Sequence, residues 1–306
     1  METRTTDISN SLNKDVYYYK SSGIQLIRPL TLTGTISPIL AGTGLALLQG
    51  NFQYNLFLAL LFSALLVQAA TNVLNDYFDF KYGQDKEKWV CESEAVHRGP
   101  AHTSLPLLAS TMFAAAVGIG LWLALHSSLS VILVGTLGIA AGCKYSAGKH
   151  SFSSIGLGET IAAFFLGPVV TLLAYFVQTN EIHFSIIAVS LLFALLIASM
   201  ILTNNIRDLK KDIGFRKTLA FKLGRKNAIY LLNALLIFPY LSTIVFVYLD
   251  ILPQPALISI FAFPVALRLL WSFRKSASRA DELGGMKWAA RHHWAFGILL
   301  AVGIWL

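Results

Sequence analysis

The chain has 306 residues, 55% of them hydrophobic and 13% charged, with a mean hydropathy of +0.62. So little polar surface cannot cover a water-soluble globule of this length, which excludes a soluble fold and makes the bilayer the natural solvent. The formal charge of +8 does not indicate nucleic acid as a partner, because membrane insertion and attraction to anionic lipid account for the basic residues.

In chain order, the first 20 residues are polar and lack the apolar core and cleavage site of a signal peptide. Residues 1–23 are expected to be a flexible cytoplasmic tail. Apolar runs then recur at 25–48, 54–75, 104–125, 128–143, 155–178, 183–203, 228–249, 255–273 and 289–306, most of them near the roughly 20 residues that cross a hydrocarbon core. The runs are continuous rather than alternating, which selects helices over a closed β-barrel. The expected fold class is therefore all-α and polytopic, with nine transmembrane helices in a single domain over 24–306. The connections at 49–53, 126–127, 179–182 and 250–254 carry neither Lys nor Arg, and all 24 basic residues fall on the alternate side. Because cytoplasmic loops are the ones enriched in Lys and Arg, the N-terminus is expected inside and the C-terminus outside.

Two inner-side segments break this apolar pattern. The first runs from Asn72 to Asp85, and on a continuing helix Asn72, Asp76 and Asp79 fall at i, i+4 and i+7, with Asn75 one step around. In the second, Asn204, Asp208 and Asp212 fall at i, i+4 and i+8, with Arg207 beside Asp208. Each places several oxygen ligands on one helix face. Solvated helix-end charges would explain one isolated Asp pair, but two such ladders on the same side of the membrane point to function. Carboxylates this close repel one another at the edge of a low-dielectric region unless a cation sits among them. Magnesium suits oxygen ligands and is typically held by one or two carboxylates together with substrate phosphates, so two such faces could grip a diphosphate. Lys217 follows the second ladder and could meet phosphate oxygens, although much of that loop's charge serves topology. Glu159 opens the fifth run, where a carboxylate complements the helix dipole whether or not it also meets substrate. The seven histidines show no HxxxH or HxH spacing, which argues against a redox metal.

At these motifs the sequence resembles the UbiA superfamily of intramembrane prenyltransferases, most closely its 1,4-dihydroxy-2-naphthoate branch. The resemblance is carried by Arg28-Pro29, by Asn72 to Asp85, by Tyr145-Ser146-x-Gly148, by Gly156-Leu-Gly158-Glu159, by Asn204-Asn205-Ile-Arg207-Asp208-x-x-x-Asp212, and by Lys217-Thr218-Leu219-Ala220 with Leu223-Gly224. It implies nine helices around a central cavity, two magnesium ions bridging the substrate diphosphate, and residence in a bacterial plasma membrane with the site on the cytoplasmic side. By position, the implied metal ligands are Asn75, Asp76, Asp79, Asn204, Asp208 and Asp212. The four acids, Arg207 and Tyr145 are then the catalytic candidates. Asn72, Asn75, Asn204, Lys149, Lys217, Arg28 and Glu159 are candidates for substrate contact. There are two departures from the branch's pattern. Asp85 follows Gly83 rather than standing three residues beyond Asp79, and is not counted as a ligand. The stretch from Lys149 to Ser154 replaces one that commonly contains Pro and Tyr.

The implied reaction is transfer of a polyprenyl group from a polyprenyl diphosphate to 1,4-dihydroxy-2-naphthoate within membrane lipid. Acceptors such as 4-hydroxybenzoate, haem or homogentisate would leave the Asp motifs intact. A transporter or lipid-binding protein would share the spans but has no need of two diphosphate-spaced ladders.

Overall fold

The computed structural model describes residues 16–93, 99–148, 150–213 and 217–306, and helices dominate it. The first apolar run is broken. Two short 3-10 turns, Gly23–Ile27 and Pro29–Thr31, meet α1 (Thr33–Leu48) at a 46° bend. The bend falls at Leu32, and the two turns themselves are divided at Arg28-Pro29, where proline contributes no backbone N–H to a continuing helix. Next come α2 (Tyr54–Lys81), α3 (Leu105–His126), α4 (Ser130–Ser146) and the single turn α5 (Phe152–Ile155). The fifth run is α6 (Gly158–Phe164), which passes through a π-helical turn at Phe165–Val169, around Pro168, into α7 (Val170–Thr179). The remaining helices are α8 (Phe184–Asp208), α9 (Leu219–Tyr248), α10 (Phe263–Trp271) with a 3-10 approach at Gln254–Ala262, and α11 (Arg279–Trp305). Two starts are capped by side chains. The Thr218 hydroxyl accepts from the Phe221 N–H ahead of α9, and Ser278 and Asp281 form a reciprocal capping box on α11.

Six of these helical segments are long and apolar enough to cross a bilayer, and the bent pair would make a seventh. The protein is thus a multi-span α-helical membrane protein, but length and composition alone do not return the expected nine spans. At 17 residues α4 is short. The N-terminal part of α11 carries Lys287, Arg291, His292 and His293, which lower its hydropathy. Of the six, α8 lies deepest, with 67% of its apolar window buried against 22% for the segment containing α3. Phe193 and Leu196 of α8 pack with Tyr175 of α7 and Phe296 and Leu300 of α11 in the largest core cluster.

Of the expected tail, residues 1–15 lie outside the described residues. The chain is already paired by Tyr17, where β1 (Tyr17–Tyr19) runs antiparallel to β2 (Trp89–Cys91), with Tyr18 opposite Val90. Trp89, only 4% exposed, is held between Tyr19 and Phe80 with ring centroids 5.2 and 5.1 Å away. This small aromatic clasp holds down the loop that follows α2.

Candidate active site

The helix α2 runs almost two turns past the apolar run, to Lys81, so Asn72, Asn75, Asp76 and Asp79 ride on one rigid element. Asn75, Asp76 and Asp79 are buried. Arg28 lies at φ 54°, a left-handed conformation that side chains avoid and that a following proline disfavours further. The strained backbone aims its guanidinium: Nη2 donates to Asn75 Oδ1 at 2.6 Å and to Asp76 Oδ1 at 3.0 Å. Asn72 Nδ2 donates to the Ile27 carbonyl at 2.9 Å, which bolts the Arg28 turn to α2. Asn75 Nδ2 donates to Ser146 Oγ at 2.8 Å and so ties in the end of α4.

Beyond α2 the chain reverses at Gly83, at φ 86°, and brings Asp85 back toward the helix. Carboxylate oxygens of Asp76, Asp79 and Asp85 all lie within 4.8 Å of one another. Magnesium binds oxygen at about 2.0–2.1 Å, so ligands on opposite sides of it stand about 4.2 Å apart. Three acid oxygens this close fit a hard divalent cation with only small side-chain shifts. Asp85, left out of the sequence-derived ligand set, therefore joins this group. Its signal was the Asp85-x-x-Lys88 spacing, because Lys88 Nζ bridges Asp85 Oδ2 at 2.6 Å and Asp76 Oδ1 at 2.9 Å. Burial alone would raise the Asp85 carboxyl, but the Lys88 ammonium and the hydrogen bond from Lys211 hold it well below the usual carboxylate range.

The second ladder sits at the end of α8. Arg207 folds back along its own helix, with Nε donating to Asp208 Oδ1 at 2.8 Å and Nη2 to Asp208 Oδ2 at 2.5 Å and Asn204 Oδ1 at 2.7 Å. Asp212 is buried just beyond. Asp208 and Asp212 do not join the three-acid group. The two ladders are nevertheless brought together. Lys211 of the second segment pairs with Asp85 and, at 2.7 Å, with Glu87 of the first. Asn72, Asn75, Asp79, Asp85, Asn204, Arg207, Asp208 and Asp212 all line one cavity of about 1150 Å³. Arg28, Lys88 and Tyr145 line it too, while Asp76 stands behind them and touches it through Arg28 and Lys88. Leu60 and Asp79, both of α2, lie on its wall 19 residues apart, a helical rise of roughly 28 Å. Most of the wall away from the ladders is apolar, with Leu60, Leu123, Val134, Phe165, Leu173 and Ile197 among its residues.

Three further expected residues stand differently. Lys149 lies outside the described residues. The Lys217 side chain is exposed and away from the cavity wall. Glu159 lines the cavity, but its Oε1 is already taken, accepting from Asn205 Nδ2 at 2.5 Å and from the Leu219 N–H at 3.1 Å. It joins α6, α8 and α9 and fills an unsatisfied donor at the start of α9. Sequence reading missed Lys88, whose role depends on the Gly83 turn that returns Asp85 to α2, and Lys211, Ser146 and Asn205, whose roles depend on partners far away in the chain.

The model for "UbiA prenyltransferase family" matches residues 35–302. The 1,4-dihydroxy-2-naphthoate octaprenyltransferase of Bacillus subtilis is 33% identical over 282 residues, covering 92% of this chain and 91% of that protein. Among solved structures, the apo UbiA homolog from Aeropyrum pernix superposes with a TM-score of 0.64 at 18% identity, covering 89% of this chain and 96% of that one. The UbiA homolog from Archaeoglobus fulgidus bound to DMAPP and Mg²⁺ gives 0.56 at 13%, covering 92% and 100%.

Proposed function

Because this chain belongs to the UbiA prenyltransferase family, we propose that it transfers a polyprenyl group from a polyprenyl diphosphate to 1,4-dihydroxy-2-naphthoate, releasing diphosphate and carbon dioxide. One observation carries the proposal: two oxygen-rich helix ends line one cavity whose remaining wall is mostly apolar. The ionic end suits a diphosphate and the apolar length suits a prenyl chain. The choice of acceptor is supported by the Bacillus subtilis relative.

Asn75, Asp76, Asp79 and Asp85 at one ladder, and Asn204, Asp208 and Asp212 at the other, are the residues we assign to magnesium, with two ions as our reading. When bound, the metal supplies positive charge to the phosphate oxygens as the leaving group develops. Arg28, Lys88 and Arg207 stand beside the same carboxylates, where they hold the ladders in register and can meet the outer phosphate oxygens. The allylic C–O bond breaks with its electron pair going to the diphosphate. The naphthoate ring attacks the resulting carbocation, and loss of the carboxylate restores aromaticity. Apolar walls keep water from capturing the cation first. Tyr145, in the last turn of α4, lines the same cavity and is assigned to the acceptor. We read the topology as nine crossings of a single domain over 24–306 in a bacterial plasma membrane, with the N-terminus and both ladders cytoplasmic. The distribution of Lys and Arg supports that reading.

Expression in a host lacking naphthoate prenylation, followed by mass spectrometry of its lipid quinones, tests donor and acceptor together. Asp76→Ala and Asp208→Ala should each lower turnover by at least about a hundredfold without loss of membrane insertion. Chelation by EDTA should do the same reversibly. A purified Asp76→Ala, Asp208→Ala double variant that still released diphosphate would overturn the site.

A further inference from the structure

We propose that the Lys88 ammonium is the resident counter-ion of the carboxylate cluster, and that it trades Asp76 and Asp85 for the diphosphate when metal and substrate bind together. The inference rests on the metal assignment above and goes beyond it in predicting an order of events and a sign for a mutation.

The geometry is specific. Lys88 Nζ bridges Asp76 Oδ1 at 2.9 Å and Asp85 Oδ2 at 2.6 Å. Both residues belong to the group of three whose oxygens lie within 4.8 Å of one another. A divalent ion shared by those oxygens would sit almost in contact with the ammonium. Two cations that close repel strongly in a partly desolvated site unless an anion lies between them. Metal alone must therefore evict Lys88 from two ion pairs and leave its charge stranded. Metal accompanied by a diphosphate meets no such penalty, because the substrate offers the displaced ammonium new oxygens.

Only the side chain needs to move. The Lys88 backbone is held at both ends, its N–H donating to the Asp85 carbonyl at 3.0 Å and its carbonyl accepting from the Lys20 N–H at 2.9 Å. The next residue, Trp89, is locked between Tyr19 and Phe80. The four-methylene stem is thus a fixed tether at the cavity wall, and β1 sets where it is anchored. The other cations at the cluster are arranged differently: Arg28 shares its Nη2 with Asn75, and Lys211 divides its ammonium between Asp85 and the exposed Glu87.

The test uses the full chain in lipid nanodiscs, with Mn²⁺ as the probe, free Mn²⁺ read by electron paramagnetic resonance, and inorganic pyrophosphate present or absent. Lys88→Met should bind Mn²⁺ alone at least about tenfold more tightly than wild type, and the tightening caused by pyrophosphate should shrink by a similar factor. Loss of a merely structural lysine would weaken the site, so the sign of the change is diagnostic. If Lys88→Met binds Mn²⁺ no more tightly than wild type, the role given to Lys88 is overturned and the metal assignment stands. If neither protein binds Mn²⁺ even with pyrophosphate, both fall. Lys88→Gln, which keeps a polar side chain of similar reach, guards against a variant that fails to fold. Mn²⁺ alone should raise its melting temperature at concentrations that leave wild type unchanged, and equal responses would again overturn the proposal.

Discussion

At the scale of single residues, two acids that look alike in sequence are separated by their partners. Asp76 has Arg28 and Lys88 on one oxygen and belongs to the cluster that fits a cation. Glu159 spends its carboxylate on Asn205 and the Leu219 N–H. Glu159→Ala strands the buried Asn205 amide and the half-buried Leu219 N–H and should cost about 1–3 kcal/mol of stability. Glu159→Gln, whose amide oxygen can still accept, should recover much of that, and melting curves compare the two. Gly156 shows the same kind of constraint in the backbone. It lies at φ 82°, and a Cβ there would come within 2.2 Å of the Lys217 carbonyl. Gly156→Ala is therefore expected to destabilise by more than the roughly 1–2 kcal/mol of left-handed strain alone, read as a lower melting temperature or a loss of folded yield.

At the scale of elements, the loop after α2 depends on a strand formed by the segment expected to be a tail. Tyr19→Ala removes the ring packed on Trp89 and frees the tether of Lys88. Steady-state kinetics should show the KM for the prenyl diphosphate rising several-fold, with the KM for the acceptor changed less; a uniform loss of kcat alone would contradict this. Each of the nine apolar runs holds a described helix, so the helices were legible from hydropathy. Their ends were not. The last turns of α2 and α8 mix Asn and Asp with their apolar residues, which ends the hydropathy signal while the backbone ladder of the helix continues. The strands β1 and β2 were illegible for another reason. Three residues each are too few for a periodic signal, and their pairing is a long-range contact that only the fold supplies.

At the scale of the whole molecule, Asp85 with Lys211 joins the segment after α2 to the segment after α8. The spacing on α2 was readable as helical, and that on α8 as far as Asp208, with Asp212 beyond the helix end and tied back by its N–H donating to the Asp208 carbonyl; this joint was not readable, because Asp85 reaches it only through the Gly83 turn. The Asp85 carboxyl is pushed up by burial and held down more strongly by Lys88 and Lys211, so its net pKa lies below the unfolded value. Its contribution to stability is thus complete above the ordinary carboxylate pKa of about 4 and fades only as pH falls through the lower folded value. Lys211→Met should lower the melting temperature slightly, since an ammonium 42% exposed contributes under about 1 kcal/mol after solvent screening. That deficit should hold from neutral pH down past about 4 and close only in stronger acid; a deficit already gone at pH 5 would contradict the assigned direction.

The cavity with one ionic end and one apolar wall has a consequence for direction. The reaction proposed cuts an amphiphile in two, and its halves belong to different phases: the charged fragment dissolves in water and the alkylated ring in lipid. Once they have parted, reversal would require a scarce encounter across the interface. Turnover is then rectified by partition, with the protein acting as the boundary at which the two halves separate.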